Sequence, residues 1–224
     1  MTLNRGCAGT IITLILQGPG YARYVAQQVL TESLVEDSMK TLSFGGMFML
    51  DDQLTSTSRV KVMQKLGKLV ARRRLTSFRD RLMRLQREPL FWNTSVALAG
   101  MLHDSGPLAT AKRPFVFDSR SIYKLAFLNL RVLRNLRVHY QQNLRVWEDV
   151  CFVDEILHAG GHTFKCQRSC FRAVKSRRGG ADVARSRITR STSGITLADL
   201  VGDQTSAQPD SISRLLSWAR GHER

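Results

Sequence analysis

An apolar run that stops at two adjacent carboxylates, Gly46-Met47-Phe48-Met49-Leu50-Asp51-Asp52-Gln53, limits what this chain can fold into more than any other stretch. A short continuous apolar run bounded by turn residues suits a strand covered on both faces. Asp51 and Asp52 then fall where that strand leaves its sheet. In open α/β sheets, ligands bind beyond the carboxyl ends of the strands. Two carboxylates there can hold a hard divalent cation against phosphate oxygens, or can form an ordinary Asp-rich turn.

The chain has 224 residues, enough for one domain or one domain with a tail. Hydrophobic residues make up 43%, which supplies a core and excludes a wholly disordered protein. No apolar run reaches the ~18 residues of a membrane-spanning helix. Ile11–Leu16 is short for a signal sequence and reads as a strand. Thirty-four basic residues against 18 acidic give a net charge of +16, which implies attraction to a polyanion: nucleic acid, nucleotide phosphate or acidic lipid. Cys7, Cys151, Cys166 and Cys170 lack paired zinc-site spacing and read as buried reduced thiols of an intracellular protein. His158, His162, Cys166 and Cys170 recur every four residues, but Gly160-Gly161 interrupts any helix that would align them.

Along the chain, Gln17-Gly18-Pro19-Gly20 breaks the first strand. Ala22, Val25, Ala26 and Val29 then follow at helical spacing, which puts Arg23 on a first helical turn beside free N–H groups. Strand, helix and strand to Asp52 suggest a parallel βαβ unit. Residues 60–87 read as one or two helices, with apolar residues at Val60, Met63, Leu66, Val70, Leu75, Phe78, Leu82 and Leu85. From Arg59 to Arg87 eleven residues are basic and one, Asp80, is acidic, a surplus that calls for an anionic partner. Strands are expected at Ser95–Leu102 and Pro114–Phe117, and a helix at Ile122–Leu133 capped by Asp118 or Ser119. A further helix at Asp149–His158 ends at Gly160-Gly161, and a strand or hairpin closes the domain at His162–Phe171. Residues 175–224 form a basic Ser/Arg-rich tail, read as disordered, with a short helix at 212–219.

Val146-Trp147-Glu148-Asp149 places an acidic pair at a helix start, where carboxylates either cap the helix or turn toward an acceptor hydroxyl. The order of these blocks resembles the TET-associated glycosyltransferase family, which has an A-type nucleotide-sugar glycosyltransferase fold and relatives among base J glucosyltransferase-like enzymes and GREB C-terminal domains. The match runs through Gly18-Pro19-Gly20-Tyr21-Ala22-Arg23, Phe48-Met49-Leu50-Asp51-Asp52, Tyr123-Lys124 with Asn129-Leu130, and Val146-Trp147-Glu148-Asp149 with Phe152. Phe164-Lys165-Cys166 adds to it, and residues 10–175 are covered.

The resemblance implies an α/β domain over residues 1–174: a Rossmann-like mixed sheet flanked by helices. It implies transfer of a sugar from a nucleotide-sugar donor to a hydroxyl, that of a hydroxymethylated DNA base or of a protein; the localisation expected from the sequence is intracellular, with the nucleus as one compartment. Asp51 and Asp52 would hold Mg²⁺ or Mn²⁺. Gly18, Gly20, Arg23 and Lys124 would line the donor site, and Glu148 and Asp149 would face the acceptor. Gln53 stands where the family carries a third acid. Few residues precede the first strand, so the nucleotide-binding half is expected to be incomplete. The alternative is a non-catalytic nucleic-acid-binding protein on such a fold. Oligomeric state is not legible in the sequence.

Overall fold

The computed structural model describes residues 2–6, 9–13, 19–36, 45–51, 53–65, 68–92, 95–104, 113–142, 144, 146–174, 214 and 217. The chain divides into two compact units. One comprises residues 1–43, 139–152 and 178–224; the other comprises 44–138 and 153–177. Gly18, Asp52, Cys7 and nearly all of the basic tail lie outside the described residues.

In the first unit, β1 (Thr2–Gly6) and β2 (Gly9–Thr13) form a two-stranded antiparallel sheet, with Gly6 opposite Gly9. Only two residues separate them, so pairing closes the smallest possible loop. This corrects the expected βαβ unit, because β2 takes its ladder from β1. Helix α1 (Pro19–Glu36) follows and begins on proline, whose fixed φ and missing N–H suit a first helical turn. Gly20 is required by close approach. A Cβ there would stand 2.6 Å from the Leu144 carbonyl oxygen and 2.8 Å from that of Gln141.

The second unit is built on a mixed seven-stranded sheet of order β3-β8-β6-β9-β4-β5, with β7 paired to β9. Its strands are β3 (Gly46–Leu50), β4 (Leu54–Lys65), β5 (Lys68–Thr76), β6 (Val96–His103), β7 (Phe115–Phe117), β8 (Leu125–Asn129) and β9 (His162–Ala173). Among the described strands of this sheet only β6 and β9 pair in parallel; the other ladders are antiparallel. Strands β6 and β8 are buried along nearly their whole length, as their unbroken apolar sequences require. Phe91, Phe127, Phe164 and Phe171 form the centre of the main core, with Leu82 and Leu85 of α2 (Phe78–Gln86) packed on it. A 3-10 turn at Pro89–Trp92 delivers Phe91, whose ring centroid lies 4.1 Å from that of Phe127. A smaller cluster of Val60, Leu102 and Cys170 lies with Val62 and Ala71.

The helix expected over residues 60–87 is instead the β4–β5 hairpin followed by the short α2. Residues 54–62 alternate with a period of two and are rich in Thr, Ser and Val. Strand β4 also gains a second ladder from β9, a partner more than a hundred residues away that local spacing cannot reveal. The helix expected at Ile122–Leu133 is β8 followed by α3 (Leu130–Leu136). Its cap is Asn129, whose Oδ1 accepts from Val132 N at 3.4 Å. Leu125-Ala126-Phe127-Leu128 is a short apolar run of the kind that periodicity cannot assign. Helix α4 (Glu148–His158), its end at Gly160 (φ 80°), and β9 agree with expectation.

Candidate functional site: a basic hairpin face and two ion pairs

The acid expected to face an acceptor is tied down. Glu148 is buried, 5% exposed, and its Oε1 lies 2.9 Å from Arg23 Nη1. Arg23 also lies over the Tyr140 ring, 5.6 Å from its centroid, and Tyr140 stacks on Phe152 at 3.8 Å. Gln27 Oε1 accepts from Tyr140 N at 3.0 Å, so α1 is fastened to the 139–152 segment at two successive turns. Burial raises the Tyr140 hydroxyl above its ordinary pKa, against the opposing pull of Arg23. Asp149 is half-buried, and its Oδ1 accepts from Val150 N at 2.9 Å. Gly20 meets carbonyl oxygens, which repel an anion. In this unit the motif residues Gly20, Arg23 and Glu148 therefore surround a packed ion pair.

In the other unit Asp51 directly follows β3 as expected, but β3 is an edge strand, half-buried for most of its length with Leu50 exposed, and not a strand covered on both faces. Asp51 Oδ1 accepts from Gln53 N at 2.9 Å. Lys124 Nζ donates to Gln53 Oε1 at 2.6 Å and stands 4.0 Å from Asp51 Oδ2. The sequence thus places Asp51 and Lys124 together. The described oxygens are one carboxylate and one amide, with an ammonium already against both. Asp52, the other carboxylate of the expected metal pair, lies outside the described residues. Among the described residues no group of three His, Cys, Asp or Glu gathers as metal ligands. The His158, His162, Cys166 and Cys170 series divides between α4 and β9, and Cys151, Cys166 and Cys170 are buried thiols.

The basic stretch is where the structure adds most. In an antiparallel ladder, directly opposed residues share a face. Arg59 is opposite Arg74, and Lys61 is opposite Arg72. All four are exposed, as is Lys65 four positions further along β4. Thr57 is opposite both Thr76 on β5 and Phe171 on β9, and Phe171 packs in the cluster that holds Leu82 and Leu85. The basic face is therefore the face on which α2 lies. Arg73 points to the other side, where its Nη1 lies 3.0 Å from Asp104 Oδ1. Asp104 Oδ2 also accepts from Arg172 Nε at 2.8 Å. Helix α2 adds exposed Arg79 and Arg84, with Arg87 at its C-cap.

Sequence reading placed the charge of this stretch correctly and its geometry wrongly. It missed that Arg73 pairs with Asp104, while Arg72 and Arg74 have no ion partner among the described residues; alternation along 72–74 was the available signal. It also missed the pairing of His162 Nδ1 with Asp118 Oδ1 at 3.0 Å, beside a hollow of about 330 Å³. No family model, curated protein or solved structure matches the chain.

Proposed function

We propose that the protein binds nucleic acid through its phosphate backbone, with the α2-side face of the β4–β5 hairpin as the contact surface. One observation carries this reading: two directly opposed like-charged pairs, Arg59 with Arg74 and Lys61 with Arg72, on one exposed face. Like charges opposite one another destabilise a ladder by a few tenths of a kcal/mol or more. A polyanion reverses the sign of that term. A strand keeps same-face side chains about 6.7 Å apart, so the charges present a regular grid rather than a point. Arginines and lysines on a flat grid recognise phosphates and do not select bases. Binding is therefore expected to be sequence-tolerant. A salt series on two unrelated duplexes of equal length tests it. Equal affinities that fall along parallel log–log lines support the reading; affinity indifferent to salt contradicts it.

Sugar transfer from a nucleotide-sugar donor is a second reading, favoured by Asp51 at the end of β3 with Lys124 beside it. Lys124 offers a phosphate contact whether or not Mg²⁺ or Mn²⁺ takes part. Calorimetry with a nucleoside diphosphate, with and without Mn²⁺, tests this reading: affinity that rises with the metal supports it. No heat in either condition removes it.

A further inference from the structure

Arg81 is an anomaly within the basic surface. It lies on α2 three residues after Phe78 and four before Leu85, so it shares the helix face that packs on the core. Its residue exposure is 8%, and its Nε and Nη1 find no hydrogen-bond partner among the described residues. Its charged neighbours are mostly of the wrong sign. Burial, Arg84 and Arg59 all lower its pKa, and Asp80 and Cys166 oppose them only in part. A buried cation facing other cations is among the costliest arrangements a core can hold. A second orphan lies on the same strand–helix connection. Thr76 closes β5 on the α2-side face, and its buried Oγ1 also lacks a partner among the described residues.

We propose that Arg81, with Thr76 and Arg59, forms a phosphate-binding site between the β4–β5 face and helix α2. Each orphaned guanidinium N–H can donate to a phosphate oxygen, and the Thr76 hydroxyl supplies a further donor. Arg59 and Arg84 then become complementary to the bound charge. The site deepens the nucleic-acid reading, but it rests on separate atoms and can be tested with inorganic phosphate alone.

The experiment compares thermal unfolding in sodium phosphate and in sodium chloride of equal ionic strength. The parent is expected to unfold at higher temperature in phosphate. Arg81→Met is expected to match or exceed the parent in chloride, because it removes a buried unpaired charge, and to lose the phosphate response. Arg79→Met makes the same change in net charge at an exposed position and is expected to keep the response. Thr76→Val is expected to weaken phosphate at least threefold. Should Arg81→Met fail to fold, Arg81→Lys serves; with the guanidinium N–H groups gone, half-saturation should need at least tenfold more phosphate. A response equal in the parent and the Arg81 variants, or lost equally in Arg79→Met, overturns the site. Duplex DNA then identifies the source of the phosphate. A tenfold weaker affinity in the Arg81 variant makes it a backbone phosphate. Unchanged DNA affinity with a lost phosphate response upholds the site for a small phosphorylated ligand and separates it from the nucleic-acid surface.

Discussion

Arg74 stands directly across the β4–β5 ladder from Arg59, and both are exposed on the face that carries α2. Arg73, between Arg72 and Arg74 in sequence, turns to the opposite face and meets Asp104. This alternation divides the basic run between the two faces of the hairpin.

Arg73→Gln should therefore leave the salt dependence of nucleic-acid binding unchanged and cost about 1 kcal/mol of stability through the lost ion pair. Arg72→Gln should do the reverse, weakening binding with little loss of stability. Urea unfolding beside a salt series separates the two. A slope that falls equally in both variants would place Arg73 in the interface and contradict the alternation.

Glu148 and Arg23 form a buried pair between α1 and α4 within one unit. Removing one partner of such a pair strands the other charge. Glu148→Gln should cost about 3 kcal/mol. Replacing both, as in Arg23→Met with Glu148→Leu, should recover much of that. Denaturant midpoints check it. If Glu148→Gln unfolds with the parent, the pair contributes little and the carboxylate is available for chemistry.

Tyr140 is buried against Phe152, and burial raises its pKa. A group whose folded pKa is raised adds stability below its unfolded pKa and loses it as pH rises. Stability should therefore decline above roughly pH 10, the ordinary tyrosine value. Tyr140→Phe should show a shallower alkaline decline, measured by unfolding from pH 8 to pH 11. An identical decline in both would assign the loss to other groups.

The sequence announced those elements whose period and boundaries agree. Helix α4 has apolar residues at helical spacing and stops at Gly160-Gly161. Strand β6 is an apolar run between turns, and Asp51 ends β3 as its carboxylates suggest. The β4–β5 hairpin was hidden because spacings of three and four coexist with alternation over 54–76. The deciding bonds to β9 are long-range. Misreading that stretch concealed the shared face of Arg59 and Arg74. Arg81 was legible in part, since its offsets from Phe78 and Leu85 already placed a charge on an apolar face. That it lacked a partner depends on what α2 packs against, and no local pattern contains that. The pairing of Glu148 with Arg23 was hidden likewise, because more than a hundred residues lie between them.

The central claim is that the hairpin face, not net charge in general, binds the phosphate backbone. Fluorescence anisotropy of one labelled duplex across a salt series tests it with two triple variants of equal charge. One replaces Arg59, Arg72 and Arg74 with Gln; the other replaces Arg131, Arg134 and Arg137, which are exposed on or beside α3. The account predicts that the hairpin variant loses about 2.7 units of log–log slope, at roughly 0.9 per phosphate contact. The α3 variant should keep the parent slope. Equal loss in both, or no loss in the hairpin variant, would contradict it.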